Sequence, residues 1–191
     1  MKAGKKIKVI IILAVLIIIM ANIKPIGRVV YPIKYDDYIE KYSTMYNIES
    51  YMVAAIIKVE SNYDKSALSK KNAIGLMQLT PSTAKEIAKK MNIENFTPDM
   101  ILDPELNIRM GCWYIDDLKK EFGNNMDLVL AAYNGGRGNV KKWLRSEETS
   151  KDGQNLHYIP FKETDKYVKK VKVNYNIYKY LYSDKKHNLL N

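Results

Sequence analysis

Residues 60–84 read ESNYDKSALSKKNAIGLMQLTPSTA, with a helix end on one side and a helix start on the other. Upstream, Ile48, Tyr51, Met52, Ala55, Ile56 and Val59 recur at the i, i+3, i+4, i+7, i+8, i+11 spacing of one helix face. An apolar helix therefore ends near Glu60 and Ser61, and Asn47, Glu49 and Ser50 all remain open as its cap. Downstream, Thr80-Pro81 sets an N-cap residue before a proline at the first helical position, which predicts a helix to about Met91. Between the two, Asn72 and Gly75 are turn residues that allow at most a small β-hairpin within residues 65–78.

Further along, Asp103-Pro104 repeats the helix-start signal. Leu106, Met110, Trp113, Tyr114, Leu118 and Phe122 trace one face, which Gly123 ends. A short helix is expected over 126–133, then a turn at Asn134-Gly135-Gly136 and another helix from about Asn139. Residues 146–159 read as a polar loop and 163–182 as the last helix. No period-two strand and no internal repeat is visible. The chain thus reads as mainly α, with one helical domain over 38–182 and a polar tail over 183–191. Its 191 residues suffice for one sizeable core.

The N-terminus differs in kind. Lys2, Lys5, Lys6 and Lys8 precede an unbroken apolar run from residue 9 to 21, VIIILAVLIIIMA, the pattern of an export signal. The run is short for a spanning helix, which needs about 20 residues, although snorkelling of Lys8 and Lys24 extends its reach. No small-x-small cleavage site follows, and no cysteine follows for lipidation. An uncleaved membrane anchor over residues 1–24 is preferred to a cleaved signal, which would give a secreted protein. The basic flank keeps the N-terminus cytoplasmic and the domain outside. Pro25, Gly27 and Pro32 mark residues 25–37 as a linker.

Five of the 31 Lys and Arg residues lie in the first 24 positions, where there is no acid, so the remainder carries 26 basic against 21 acidic residues. A mildly basic domain suits an anionic polymer or surface, or simply has a solvated basic face. No nucleic-acid motif is present, and nucleic acid is not expected as a partner. Cys112 is the only cysteine, which rules out an internal disulfide, and its apolar helical setting beside Trp113 predicts a buried thiol. His157 and His187 stand apart and read as surface residues. With no paired Cys/His spacing, no metal or cofactor is expected.

Glu60 is the carboxylate of interest. Four residues after Ile56, it sits at the margin of the buried face and at the negative end of the helix dipole. Both features disfavour its charged form, moving a carboxyl from ~4.3 toward ~6, the range of glycosidase general acids. By itself this leaves open a solvated glutamate beside Lys58. Downstream, Gly75, Leu76, Met77 and Gln78 form an apolar strip ending in an amide. Later come Ala132-Tyr133-Asn134-Gly135-Gly136 and Ile159-Pro160-Phe161-Lys162-Glu163-Thr164, with Tyr167 three residues on. Such Tyr, Asn and Gln side chains near a cleft suit sugar hydroxyls and N-acetyl groups, though each alone is equally a turn or core residue.

The order of these motifs resembles the catalytic domain of the soluble-type lytic transglycosylases, which share a lysozyme-like α fold. The matching pieces are Glu60-Ser61, residues 75–78 with Thr80-Pro81 and Thr83-Ala84, residues 102–111, 132–136 and 160–167. The resemblance implies cleavage of the β-1,4 bond between N-acetylmuramic acid and N-acetylglucosamine in peptidoglycan glycan strands, leaving 1,6-anhydromuramic acid ends. It implies Glu60 as acid and then base, with Ser61 beside it as a hydrogen-bonding residue. Met77 and Gln78 would line the cleft, Tyr133 and Asn134 would face the reacting sugar, and Glu163 and Tyr167 would support the site. Asn72 stands where the family often has glycine, and Tyr63 where it often has phenylalanine.

Two-carboxylate glycosidases need a second acid. Between Glu60 and Gln78 the only one is Asp64, which looks like a turn residue. That favours assistance by the substrate's own N-acetyl oxygen. A goose-type lysozyme using Asp64 to hold water, and a wall-binding protein without activity, are the alternatives. Any partner in cell-envelope machinery is left open.

Overall fold

The computed structural model describes residues 2–187, with side chains described for residues 4–184. Most of the tail expected over 183–191, and the side chain of His187, lie outside these described residues. The chain divides into two compact units, one of residues 34–176 and the other of residues up to 33 together with those from 177 onward.

In the smaller unit, α1 (Lys2–Ala21) carries the apolar run, and its apolar side chains from Ile7 to Met20 are exposed. No single helix among the described residues is long and apolar enough to cross a membrane. Residues 4–21 of α1 pass that test only together with α2 (Ile23–Val30), and the two are bent by 59°. The segment expected as a linker is therefore helical through Val30. Pro25 falls in the first turn of α2, where a backbone N–H has no intrahelical partner to lose. Arg28 Nε donates to the Leu181 carbonyl at 2.8 Å, and the Tyr182 hydroxyl donates to the Tyr31 carbonyl at 2.9 Å. These bonds tie α2 to the end of α9 (Lys162–His187).

The larger unit is helical throughout. It holds α3 (Asp36–Met45), α4 (Ser50–Glu60), α5 (Pro81–Lys90), a short 3-10 helix (Pro98–Leu102), α6 (Pro104–Phe122), α7 (Met126–Gly135), α8 (Arg137–Leu144) and the first part of α9. Every residue of α4 from Ser50 to Ile57 is buried, as expected of a helix apolar on all sides. α6 packs against α3, α5 and α7, and α7 packs against α8. Leu79, Ala84, Ile87, Ala88, Ile101 and Met110 form one core cluster joining α5 to α6. Cys112 is buried as a free thiol, and burial pushes its titration well above the ordinary value.

The two helix starts marked by proline are capped as their residues dictate. Thr80 Oγ1 accepts from the Thr83 N–H at 3.2 Å, and Asp103 Oδ1 accepts from the Leu106 N–H at 2.8 Å. Each such cap contributes about 1 kcal/mol. The hairpin allowed within 65–78 does not form, and no strand occurs among the described residues. Two isolated antiparallel bridges, Leu68 with Ile74 and Ile74 with Leu79, take its place. Left-handed residues at Asn72 (φ 58°), Gly75 (φ 78°) and Gln78 (φ 50°) turn the chain too often for a ladder to propagate. The turn expected at Asn134 also shifts. α7 continues through Gly135, and Gly136 at φ 88° makes the corner into α8.

Candidate active site

Glu60 is the last residue of α4, and the chain after it folds back over the helix end as an irregular loop. The strip Ile74 to Gln78 is the inner course of that loop, and four side chains pin it. Asn107, fully buried in α6, donates from Nδ2 to the Ile74 carbonyl at 3.1 Å and the Ile101 carbonyl at 2.8 Å. Its Oδ1 accepts from the Met77 N–H at 2.8 Å. Ser61 Oγ donates to the Leu76 carbonyl at 2.8 Å, and the Tyr133 hydroxyl donates to the Met77 carbonyl at 2.7 Å. Gln78 Nε2 donates to the carbonyls of Ala67 and Gly75 at 3.0 and 2.9 Å. The strip also needs two small neighbours. A Cβ at Gly75 would come within 2.4 Å of Asn107 Nδ2, and one at Gly111 within 2.3 Å of Met77 Sδ.

These bonds revise two sequence expectations. Met77 was expected to line the cleft, but its side chain is fully buried against Gly111, and only its backbone takes part, as the anchor of Tyr133. Ser61 was expected to hydrogen-bond the substrate or the acid. Its hydroxyl instead faces two carbonyls, Leu76 at 2.8 Å and Ile57 at 3.2 Å, so it holds the strip to the helix that carries Glu60. Asn107 lies within residues 102–111 but is not among the residues the sequence marks for the site. A polar residue one turn before Met110 and Gly111, on the same face of the helix, is the signal that marks it.

The strip forms one wall of a cleft of about 440 Å³ lined by Glu60, Lys70, Gln78, Tyr133, Asn134 and Glu163, among others. Asn134 Oδ1 accepts from Thr164 Oγ1 at 2.9 Å, which joins α7 to the start of α9, and its Nδ2 makes no hydrogen bond among the described residues. Tyr167, one turn further along α9, is buried, and its hydroxyl reaches no partner at full hydrogen-bond geometry. Burial against Glu60 and Tyr133 raises the Tyr167 phenol well above its ordinary value, so it is a hydrogen-bond donor at any working pH. Tyr133 is raised likewise, first by burial and then by the charge of Glu60.

Glu60 itself is pushed from its ordinary 4.5 to about 7. Burial is the main cause. The nearby Tyr167 hydroxyl opposes it by favouring the carboxylate, and the negative charge of Glu163 adds to it. The direction is that expected from the sequence. Asp64 is the opposite case. It is exposed and lies outside the cleft lining, and its Oδ1 accepts from the Ser66 hydroxyl at 2.7 Å and the Ser66 N–H at 2.9 Å. Those two bonds, the hydroxyl's first, hold its carboxyl below the ordinary range. The second carboxylate at the cleft is therefore Glu163, an exposed residue at the start of α9 that faces Lys71 Nζ at 3.5 Å. Among the described residues no group of three His, Cys, Asp or Glu side chains is placed to hold a metal ion.

A half-buried glutamate raised to about 7 thus stands over a cleft walled by an Asn-pinned strip. The transglycosylase SLT domain family matches residues 37–156, more than half of the chain. The chain belongs to that family. It is 36% identical to the soluble lytic murein transglycosylase of Escherichia coli K12, over 81% of this chain and 24% of that protein. It therefore spans about a quarter of that relative's length. The crystal structure of the 70 kDa soluble lytic transglycosylase from Escherichia coli superposes with a TM-score of 0.71 at 32% identity, covering 81% of this chain and 25% of that one. An inactive glutamate-to-glutamine mutant of the lytic transglycosylase Slt from Pseudomonas aeruginosa gives 0.69 at 30% identity, covering 80% and 25%. Glu163 and Tyr167 lie beyond the family-matched span, although they flank the same cleft and the same acid.

Proposed function

We propose that this SLT-family chain is a peptidoglycan lytic transglycosylase, cleaving the β-1,4 bond between N-acetylmuramic acid and N-acetylglucosamine to leave 1,6-anhydromuramic acid ends. The observation that carries the reading is the Glu60 carboxyl, held near 7 by burial in a sugar-sized cleft of an SLT-family chain. A group with that value populates both acid and base forms at neutral pH, as a residue that must serve as each in turn requires. Glu60 in its acid form gives its proton to the glycosidic oxygen as the bond from muramic acid C1 to that oxygen breaks. The muramic acid N-acetyl oxygen supports the developing charge at C1. The C6 hydroxyl then attacks C1 while the Glu60 carboxylate takes the C6 proton. Glu60 ends protonated as it began, and no water enters.

The remaining roles follow. Tyr133 and Tyr167 flank the acid as neutral phenols, Asn134 offers its free amide N–H donors to an N-acetyl or hydroxyl oxygen, and Gln78 offers its amide oxygen. Residues 1–24 act as a single membrane anchor, or as a signal if cleaved, with 25–37 as connector and 38–182 as a catalytic domain working outside the membrane. The exposed apolar face of α1 supports that placement.

Glu163 favours a second reading. A hydrolase needs a second carboxylate to hold water, and Glu163 lines the cleft. Its exposure and its pairing with Lys71 weigh against that task. Digestion of purified peptidoglycan in water enriched in heavy oxygen separates the two. Transglycosylation yields anhydro ends without label, whereas label at new reducing ends establishes hydrolysis.

A further inference from the structure

The outer course of the loop, residues 69–73, is as closely built as the inner strip, but it faces solvent. The Asn72 N–H donates to the Ser69 carbonyl at 2.9 Å, and the Ser69 N–H donates to the Ala73 carbonyl at 2.9 Å. Ser69 Oγ accepts from the N–H groups of Lys71 and Ala73 at 3.2 and 3.0 Å. Asn72 supplies the left-handed residue the turn needs. The result is a tight turn that carries Lys70 and Lys71, and both line the cleft that holds Glu60. Two ammonium groups on one braced turn at a cleft rim offer a site for an anionic group of whatever the cleft holds.

The protein itself answers only one of them, and weakly. Lys71 faces Glu163 at 3.5 Å, with both side chains about three-quarters exposed. Such a pair is screened by water and readily exchanged. Lys70 has no carboxylate within ion-pair distance among the described residues. We infer that Lys70 and Lys71 bind a carboxylate on the substituent at the 3-position of the muramic acid, making this turn a specificity element for charged glycan. The inference rests on the reading of the cleft as a glycan site. Within that polymer the sugar rings are neutral, and the anionic groups sit on this lactyl arm, either as its own carboxylate where the peptide is absent or as carboxylates of the stem peptide where it is present. Lys71 exchanges Glu163 for the substrate carboxylate, and Glu163 is left solvated at the rim.

The test is binding, measured by titration calorimetry in a Glu60→Gln background so that no cleavage intervenes. The probes are soluble glycan fragments bearing stem peptides, the same fragments after amidase removal of the stems, and N-acetylglucosamine oligomers, which carry no carboxylate. The Lys70→Ala/Lys71→Ala pair is expected to weaken binding of fragments that carry the anchoring carboxylate about tenfold. N-acetylglucosamine oligomers should bind unchanged, Lys70→Arg/Lys71→Arg should retain affinity, and Lys85→Ala/Lys89→Ala on α5 should have no effect. Loss confined to fragments without stems assigns the lactyl carboxylate, loss confined to stem-bearing fragments assigns the peptide, and loss in both shows that the turn holds either carboxylate. Unchanged binding, an equal loss for the neutral oligomers, an equal loss from the α5 pair, or no binding of either fragment would overturn the inference. Failure of the proposed function reads out separately, as absence of anhydro ends when wild-type protein digests peptidoglycan.

Discussion

Glu60 and Asp64 are four residues apart and carry the same charge, yet the chain treats them oppositely. Glu60 closes a helix whose residues from Ser50 to Ile57 are all buried, and a pinned strip folds over that helix end. Asp64 stands in the turn just beyond, solvated and bonded to Ser66. Burial raises one carboxyl to about 7, and hydrogen bonding lowers the other. Chemistry at neutral pH is thus set less by residue type than by which side of the helix end the chain passes.

The sharpest break of this contrast is in activity. Glu60→Gln keeps the shape of the side chain and removes the transferable proton, so the rate of bond cleavage should fall about a thousandfold, read as release of anhydro ends. Asp64→Asn should stay within about twofold in the same assay. A large loss for Asp64→Asn would move the second-acid role to the turn and revive the hydrolase reading.

Next in size is the strip that separates the two environments. Asn107→Ala leaves the Met77 N–H and the carbonyls of Ile74 and Ile101 buried without this partner. It should cost about 3 kcal/mol in denaturant unfolding. The Glu60 titration should shift back toward 4.5 in whatever fraction stays folded.

A smaller effect has the opposite sign. The folded-state pKa of Glu60 lies above its unfolded value, so the folded state binds more protons between pH 4.5 and 7, and stability is lost as pH rises through that window. Glu60→Gln should therefore stabilise the protein by about 2 kcal/mol at pH 8, less than the full shift implies because the site is only part-buried, and by nothing near pH 4. Thermal melts at the two pH values check this. Asp64 runs the other way. Its lowered pKa adds stability at neutral pH that fades as pH falls through its ordinary 3.8 and below, and Asp64→Ala should lower the melting temperature slightly at pH 7 and not at pH 2.

Much of this was legible because its causes are local. Thr80-Pro81 and Asp103-Pro104 predict α5 and α6, since an N-cap followed by proline needs no tertiary context. Glu60 at a helix end was visible as a candidate for the same reason. The hairpin expectation failed because the left-handed geometry at Gln78 is imposed by its bonds to Ala67 and Gly75, contacts that no propensity encodes. Met77 was misplaced because an apolar residue in a site motif reads equally as lining or as core, and only the space left by Gly111 decides. Glu163 is legible only through the family resemblance, because local spacing around Glu60 offers Asp64 alone and the other carboxylate at the cleft comes from the far end of the domain.

The most direct measurement is a carbon-13 NMR titration of the Glu60 and Asp64 carboxyl carbons in one sample, assigned with Glu60→Gln and Asp64→Asn. The account predicts a Glu60 midpoint near 7 and an Asp64 midpoint below 3.8. A Glu60 midpoint near 4.5 would contradict it, because a glutamate that is fully ionised at neutral pH has no proton to give the leaving sugar.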